Sequence, residues 1–215
     1  ECAEAGAKFL VLCSPHNPVG RVWRQSELEG LLEVARRYDL TIISDEIHAD
    51  LIFPDQKHIA IATLADDVSI ITTVSPSKTF NIPGLGLSAM VINDKAQRKA
   101  IKQVFSQWHV SNMNPFSICG FEAAYQHGEE WLNDLMLYLK ITRDAVKVYI
   151  EESLLDITLV ESEGTYLLWL DCRKMAMTDV ELHCFFIEQA KVAMSPGTLF
   201  GSAGSGFMRL NIAAP

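Results

Sequence analysis

The apolar positions of this chain fall first into short continuous runs and then into helical spacing. Residues 9–13, 40–44, 69–74 and 88–92 are apolar runs of the length and β-branched content expected of buried strands. Between the first two, Leu28, Leu31, Leu32 and Ala35 recur at the period of one helix face. Ser26-Glu27-Leu28-Glu29 reads as a capping box opening that helix, which runs to about Tyr38. Strands alternating with helices predict an α/β fold built on a mostly parallel sheet. Asn93 or Asp94 is placed to cap a helix reaching about Trp108, and Asn114-Pro115 opens another. Residues 129–154 read as one long amphipathic helix, with Trp131, Leu135, Tyr138, Leu139, Thr142, Val146 and Ile150 near a common face.

Beyond residue 155 the texture changes. Short strands over 157–160 and 166–170 flank Gly164, and Thr178-Asp179-Val180-Glu181 is a second capping box, for a helix to about Gln189. Further strands are expected over 192–194 and 207–212, separated by a Gly/Ser-rich loop from Gly197 to Gly206. The expected organisation is a larger sheet unit over residues 1–140 and a smaller α+β unit over 141–215. The chain starts at Glu1 and stops at Pro215 after a strand-like run, so both ends are expected to be cut from something longer.

Composition narrows the function classes. Nearly half the 215 residues are hydrophobic (49%), enough for a sizeable core. The net charge of −9 argues against a nucleic-acid partner or an anionic membrane surface, both of which need clustered Lys and Arg. No run of apolar residues is long enough to span a bilayer. Cys2, Cys13, Cys119, Cys172 and Cys184 are scattered, with no metal-ligand spacing, and fit reduced thiols in a cytoplasmic protein.

Three polar groups stand just past three of the apolar runs. Asn17 opens the turn Asn17-Pro18-Val19-Gly20, Asp45 follows 40–44, and Lys78 closes Ser75-Pro76-Ser77-Lys78 after 69–74. In an open α/β sheet such groups meet at the carboxyl ends of the strands. Each has a plainer reading alone: Lys78 as a surface lysine, Asp45 as a helix cap or structural ion pair, Asn17, Ser75 and Ser77 as turn residues. His48 is either a ligand donor or a satisfied loop histidine. Arg209, inside the run 207–212, needs an anion, either an internal carboxylate or a bound one. Tyr166 and Trp169 read equally as pocket or core.

The order and spacing together are more specific. Asn-Pro-x-Gly, an Asp 28 residues after that Asn, Ser-x-Ser-Lys and an Arg on a late strand resemble the fold-type I pyridoxal phosphate enzymes, the class I and II aminotransferase superfamily. Ser-Pro-His-Asn-Pro-Val-Gly, Ser-Asp-Glu-Ile-His, Ser-Lys-Thr-Phe-Asn-Ile-Pro-Gly-Leu and Arg-Leu-Asn-Ile-Ala resemble its MalY/PatB branch of cystathionine β-lyases and other C–S lyases. The resemblance covers essentially the whole chain, at about half the family's usual length. It implies pyridoxal 5′-phosphate as cofactor, Lys78 as the Schiff-base and catalytic lysine, and Asp45 as partner of the pyridine nitrogen. It further implies that Asn17 and His48 serve the ring oxygen, that Ser75 and Ser77 lie near the phosphate, and that Arg209 grips the substrate α-carboxylate. A small amino acid as substrate, a cytoplasmic homodimer and no metal follow from the same resemblance. Residues 1–140 then correspond to the C-terminal portion of the large cofactor domain, and 141–215 to an incomplete small domain. Two departures stand out: His48 replaces the Tyr of most aminotransferases, and Gly86 replaces a frequent phosphate-binding Arg. The activity implied is β-elimination of a thiol. Amino transfer to a 2-oxo acid, or a non-catalytic regulatory module with a vestigial site, are the alternatives.

Overall fold

The computed structural model describes residues 1–110 and 113–214, which divide into two compact units. The first comprises Glu1–Pro15, Trp23–Asp50 and His58–Asn133; the second comprises His16–Val22, Leu51–Lys57 and Asp134–Pro215.

The first unit is a four-stranded sheet in the order β1-β2-β3-β4. Strands β1 (Phe9–Cys13), β2 (Thr41–Asp45) and β3 (Ile70–Val74) are parallel, and β4 (Ala89–Ile92) runs antiparallel to β3 at the edge. Helix α1 (Gln25–Tyr38) makes the crossover between β1 and β2. Its buried Leu28, Leu32 and Ala35 pack with Leu12, Ile42, Ile61 and Ile70 in one core. Burial of each such leucine contributes about 1.5–3 kcal/mol. The opposite face of β1 is different: Phe9 and Val11 are 63% and 72% exposed. After β3 comes the single-turn helix α2 (Pro76–Thr79), and after β4 the helices α3 (Lys95–Gln107) and α4 (Pro115–His127). The caps fit the sequence: the Asp94 carboxylate accepts from the Gln97 amide, and the Asn114 side chain from the Phe116 amide.

The start of α1 differs from expectation. The helix begins at Gln25, so Ser26 already lies inside it; the Glu27 carboxylate accepts from the Arg24 amide at 2.9 Å. A hydroxyl in the first turn cannot reach back to cap its own amides.

Helix α5 (Glu129–Ser153) leads from the first unit into the second. Its buried positions are Met136, Leu139 and Ile150, whereas Trp131 and Tyr138 stand 47% and 43% exposed. The expected face thus holds at Leu139 and Ile150 and fails at Trp131 and Tyr138, because large apolar residues occur all round this helix and Met136 takes part of the burial.

The second unit holds an antiparallel sheet in the order β5-β6-β8-β7. It is formed by β5 (Thr158–Leu159), β6 (Leu167–Asp171), β7 (Ser195–Pro196) and β8 (Phe207–Asn211). Helix α6 (Asp179–Cys184) starts with the expected capping box: Thr178 Oγ1 accepts from the Glu181 amide, and Glu181 accepts from the Thr178 amide. A short π-helical segment over Phe185–Gln189 carries it on. Ile150, Leu170, Leu182, Phe186, Met194 and Met208 form the second core with Cys172. Burial pushes the Cys172 thiol up to about 12, so it stays protonated at neutral pH. Residues 192–194 form no strand. Pairing with β8 falls on Ser195–Pro196, where Ser195 stands opposite Arg209.

The segment His16–Val22 is built into this second unit. The Gly20 carbonyl accepts from the amides of Glu163 and Gly164 at 2.8 and 2.9 Å. Gly20 has φ +76°, and a Cβ there would lie 2.8 Å from Ser162 Oγ. Backbone conformation and close approach both require glycine.

Candidate active site

The parallel register of the first unit fixes which side chains share an edge. Cys13, Asp45 and Thr73 stand level on β1, β2 and β3. The carboxyl ends of these strands therefore lie side by side, and the chain after β3 delivers Lys78 there within four residues. The edge is tied together by backbone: the Ser14 amide donates to Asp45 O, and the Glu46 amide to Thr73 O, both at 2.9 Å.

Asp45 is half-buried and lightly held. Its Oδ1 accepts from the Ile47 amide and from Thr73 Oγ1, each at 3.4 Å, the long limit of hydrogen bonding. Among the described residues no cation pairs with it. Asp45 thus caps no helix and forms no ion pair among the described residues, and a carboxylate so weakly partnered at a strand end fits a cationic ligand group.

Lys78 sits on α2, not in an open loop. Ser75 is the N-cap, and Pro76 takes the first helical position. The Ser75 hydroxyl donates its one proton to Leu87 O at 2.8 Å and accepts from the Ser77 amide at 3.2 Å. Ser77 Oγ lies 2.9 Å from it and must act as the donor between the two hydroxyls. Thr79, fully buried, donates to Asp50 Oδ2 at 3.1 Å. Phe80 packs against Trp131 and Tyr125, with ring centroids 5.7 and 6.2 Å apart. Lys78 is thus fastened through both neighbours, while its own amine has no hydrogen-bond or ionic partner among the described residues. His48, 3% exposed, lies in the turn after β2. Gly86 takes φ +59°.

Asn17 and Arg209 belong to the second unit and meet there. Arg209 Nη1 donates to Asn17 Oδ1 at 3.1 Å, and Nη2 to Ser195 Oγ at 3.2 Å. The guanidinium lies 4.7 Å from the Phe200 ring centroid. With the amide oxygen turned toward Arg209, the Asn17 amino group is left to donate elsewhere. Arg209 has no carboxylate partner among the described residues, and its Nε is buried without an acceptor. Burial lowers its pKa, opposed by Tyr166. Burial raises the Tyr166 pKa. An uncompensated, half-buried guanidinium is a site for a planar anion.

Sequence reasoning missed Ser195, Phe200 and a buried pair between Glu46 and His58, whose Oε2 and Nε2 lie 2.9 Å apart. Each lies in a short or irregular segment where periodicity carries no signal. Among the described residues no group of His, Cys, Asp and Glu is placed to hold a metal. No helix among them is long and apolar enough to cross a membrane.

The residues of the first unit fit pyridoxal phosphate: an unengaged amine for its aldehyde and a lightly held carboxylate for its ring nitrogen, on neighbouring strand ends. Comparison with known proteins agrees. The family model described as aminotransferase class I and II matches residues 1–215. Cystathionine beta-lyase PatB of Bacillus subtilis (strain 168) is 36% identical over 97% of this chain and 54% of its own length. Protein MalY of Escherichia coli (strain K12) is 35% identical over 99% of this chain and 55% of its own. A PLP-bound C–S lyase from Staphylococcus hominis, solved with L-cycloserine, superposes with a TM-score of 0.89 at 33% identity, over 99% of this chain and 55% of that one. The chain spans about half the length of the curated relatives it matches.

Proposed function

Because the chain belongs to the class I and II aminotransferase family, we propose that the protein carrying it is a pyridoxal phosphate-dependent C–S β-lyase. Its substrates are cystathionine and related cysteine-type amino acids, and its products are pyruvate, ammonia and a thiol. The observation that carries this reading is the placement of Asp45 at the end of β2 and of Lys78 just past the end of the adjacent parallel β3, neither with an ionic partner among the described residues. The relatives in the lyase branch support elimination over amino transfer.

Bound there, pyridoxal phosphate would supply the electron sink that a carbanion at the substrate Cα requires. Asp45 would accept the ring N–H and favour its cationic form. Lys78 would hold the aldehyde end, and its unprotonated amine would take the proton from the substrate Cα as general base. Arg209 orients the substrate carboxylate by bidentate hydrogen bonds. Asn17 donates to the ring oxygen through its free amino group, and His48 is a second donor to that atom. Ser75 and Ser77 lie near the phosphate, to which Ser77 would donate on giving up its hydrogen bond to Ser75 Oγ. When the Cα proton leaves, the electron pair expels the thiolate from Cβ.

We assign the first unit to the large cofactor domain and the second to the small domain of such an enzyme. The same reading makes it a cytoplasmic homodimer; five cysteines without disulfides support a reducing compartment.

Product analysis tests the reaction. With cystathionine, the full protein is expected to release pyruvate and free thiol in equal amounts. Amino transfer onto a 2-oxo acid without thiol release would replace the lyase by an aminotransferase.

A further inference from the structure

Glu46 is 4% exposed and follows Asp45 directly. A carboxylate so deeply buried is costly unless paired and hydrogen-bonded. Here both conditions hold: Oε1 accepts from Ser44 Oγ at 2.8 Å, and Oε2 meets His58 Nε2 at 2.9 Å. Ser44 is fully buried and the His58 side chain is 15% exposed. His58 Nδ1 is itself buried without a partner, so Glu46 is the only side chain this imidazole engages among the described residues. The Glu46 backbone is held as well, its amide by Thr73 O and its carbonyl by the Ala49 amide, each at 2.9 Å.

The contrast with Asp45 is informative. Glu46 directly follows the last residue of β2 and its amide is still held by Thr73 O, so fixing its backbone and side chain restricts the backbone from which Asp45 projects. Among the described residues the Asp45 carboxylate has only two hydrogen bonds, each of 3.4 Å, too long to hold it firmly in one orientation. We propose that the buried Ser44–Glu46–His58 cluster is a positioning device that aims the Asp45 carboxylate at the ring nitrogen of the cofactor. Glu46 and His58 are positioning residues: neither touches the ring, and both act through Asp45. The inference rests on the assignment of Asp45 given above.

The test compares the affinity of the full protein for pyridoxal phosphate with that for its analogue carrying C–H in place of the ring nitrogen, measured by equilibrium dialysis. Only the first engages Asp45. The wild-type protein is expected to prefer the natural cofactor. In His58→Leu, which keeps bulk but removes the donor, that preference is expected to fall by about tenfold, as about 1.4 kcal/mol of orientation is lost. In His58→Gln, which returns an N–H to the same reach, most of it is expected to recover. Glu46→Gln, which keeps the hydrogen-bonding shape without a buried charge, is the second probe if His58→Leu fails to fold. It is expected to keep most of the preference, and Glu46→Leu to lose it. Equal weakening toward both ligands in every variant would mean a merely structural role and overturn the proposal. A wild-type protein with no preference for the ring nitrogen would overturn the Asp45 assignment, and this role with it.

Discussion

Replacing Lys78 by alanine is expected to lower turnover by about 10⁴-fold or more, the upper range for loss of a general base, while leaving the fold in place. The two halves of that expectation come from the same observation. Lys78 is half-buried and its amine makes no hydrogen bond or ion pair among the described residues, so its removal breaks no polar interaction of the unit. Substitutions away from such interactions change stability by about 0.5 kcal/mol or less. The segment is held instead by the Ser75 cap, the Thr79–Asp50 hydrogen bond and the packing of Phe80. Steady-state assay of pyruvate release, with the denaturation midpoint measured in parallel, checks both halves. Turnover near the parental rate would remove Lys78 from the chemistry.

Asp45→Asn is the second large effect. The amide keeps the size of the carboxylate and can still accept from the Ile47 amide and Thr73 Oγ1, so the strand end is unchanged. What disappears, on the proposed role, is the carboxylate that would keep the ring nitrogen protonated. Loss of one preorganised electrostatic partner costs about 10²–10³-fold in kcat. Cofactor affinity is expected to fall as well, because an amide attracts a pyridinium less than a carboxylate does. Steady-state kinetics and the absorption spectrum of the bound cofactor check this. An unchanged rate and spectrum would make Asp45 a residue of the strand end only.

The strands that build the site were readable because each is a short apolar run with a turn signal behind it. Phe9–Cys13 fell where expected, and Thr41–Asp45, Ile70–Val74 and Ala89–Ile92 lie within a residue of the runs. The motif residues were readable because their order along the chain is characteristic, not because any one is. Direction and partnership were less so. That β4 turns antiparallel depends on pairing with β3, which no local pattern encodes. The same holds for His16–Val22 and Leu51–Lys57, which join the second unit through pairings such as Gly20 with Glu163 and Gly164, and Ile52 with Gly164. Both lie inside a stretch assigned to the first unit by sequence alone.

Side-chain partners followed the same rule. Arg209 was read as needing an anion, and the structure gives it no internal carboxylate partner among the described residues. Ser195, its hydrogen-bond acceptor, comes from the strand opposite, 14 residues away. Glu46 and His58 are 12 residues apart across irregular chain. Such contacts are products of tertiary packing, and hydrophobic periodicity carries no trace of them.

The central claim is that Lys78 is the residue that holds pyridoxal phosphate. Borohydride reduction of the full protein after incubation with the cofactor, followed by peptide mapping by mass spectrometry, tests it most directly. The account predicts one phosphopyridoxyl group per chain, on the peptide carrying Lys78. Labelling spread over other lysines, or none at all, would contradict it.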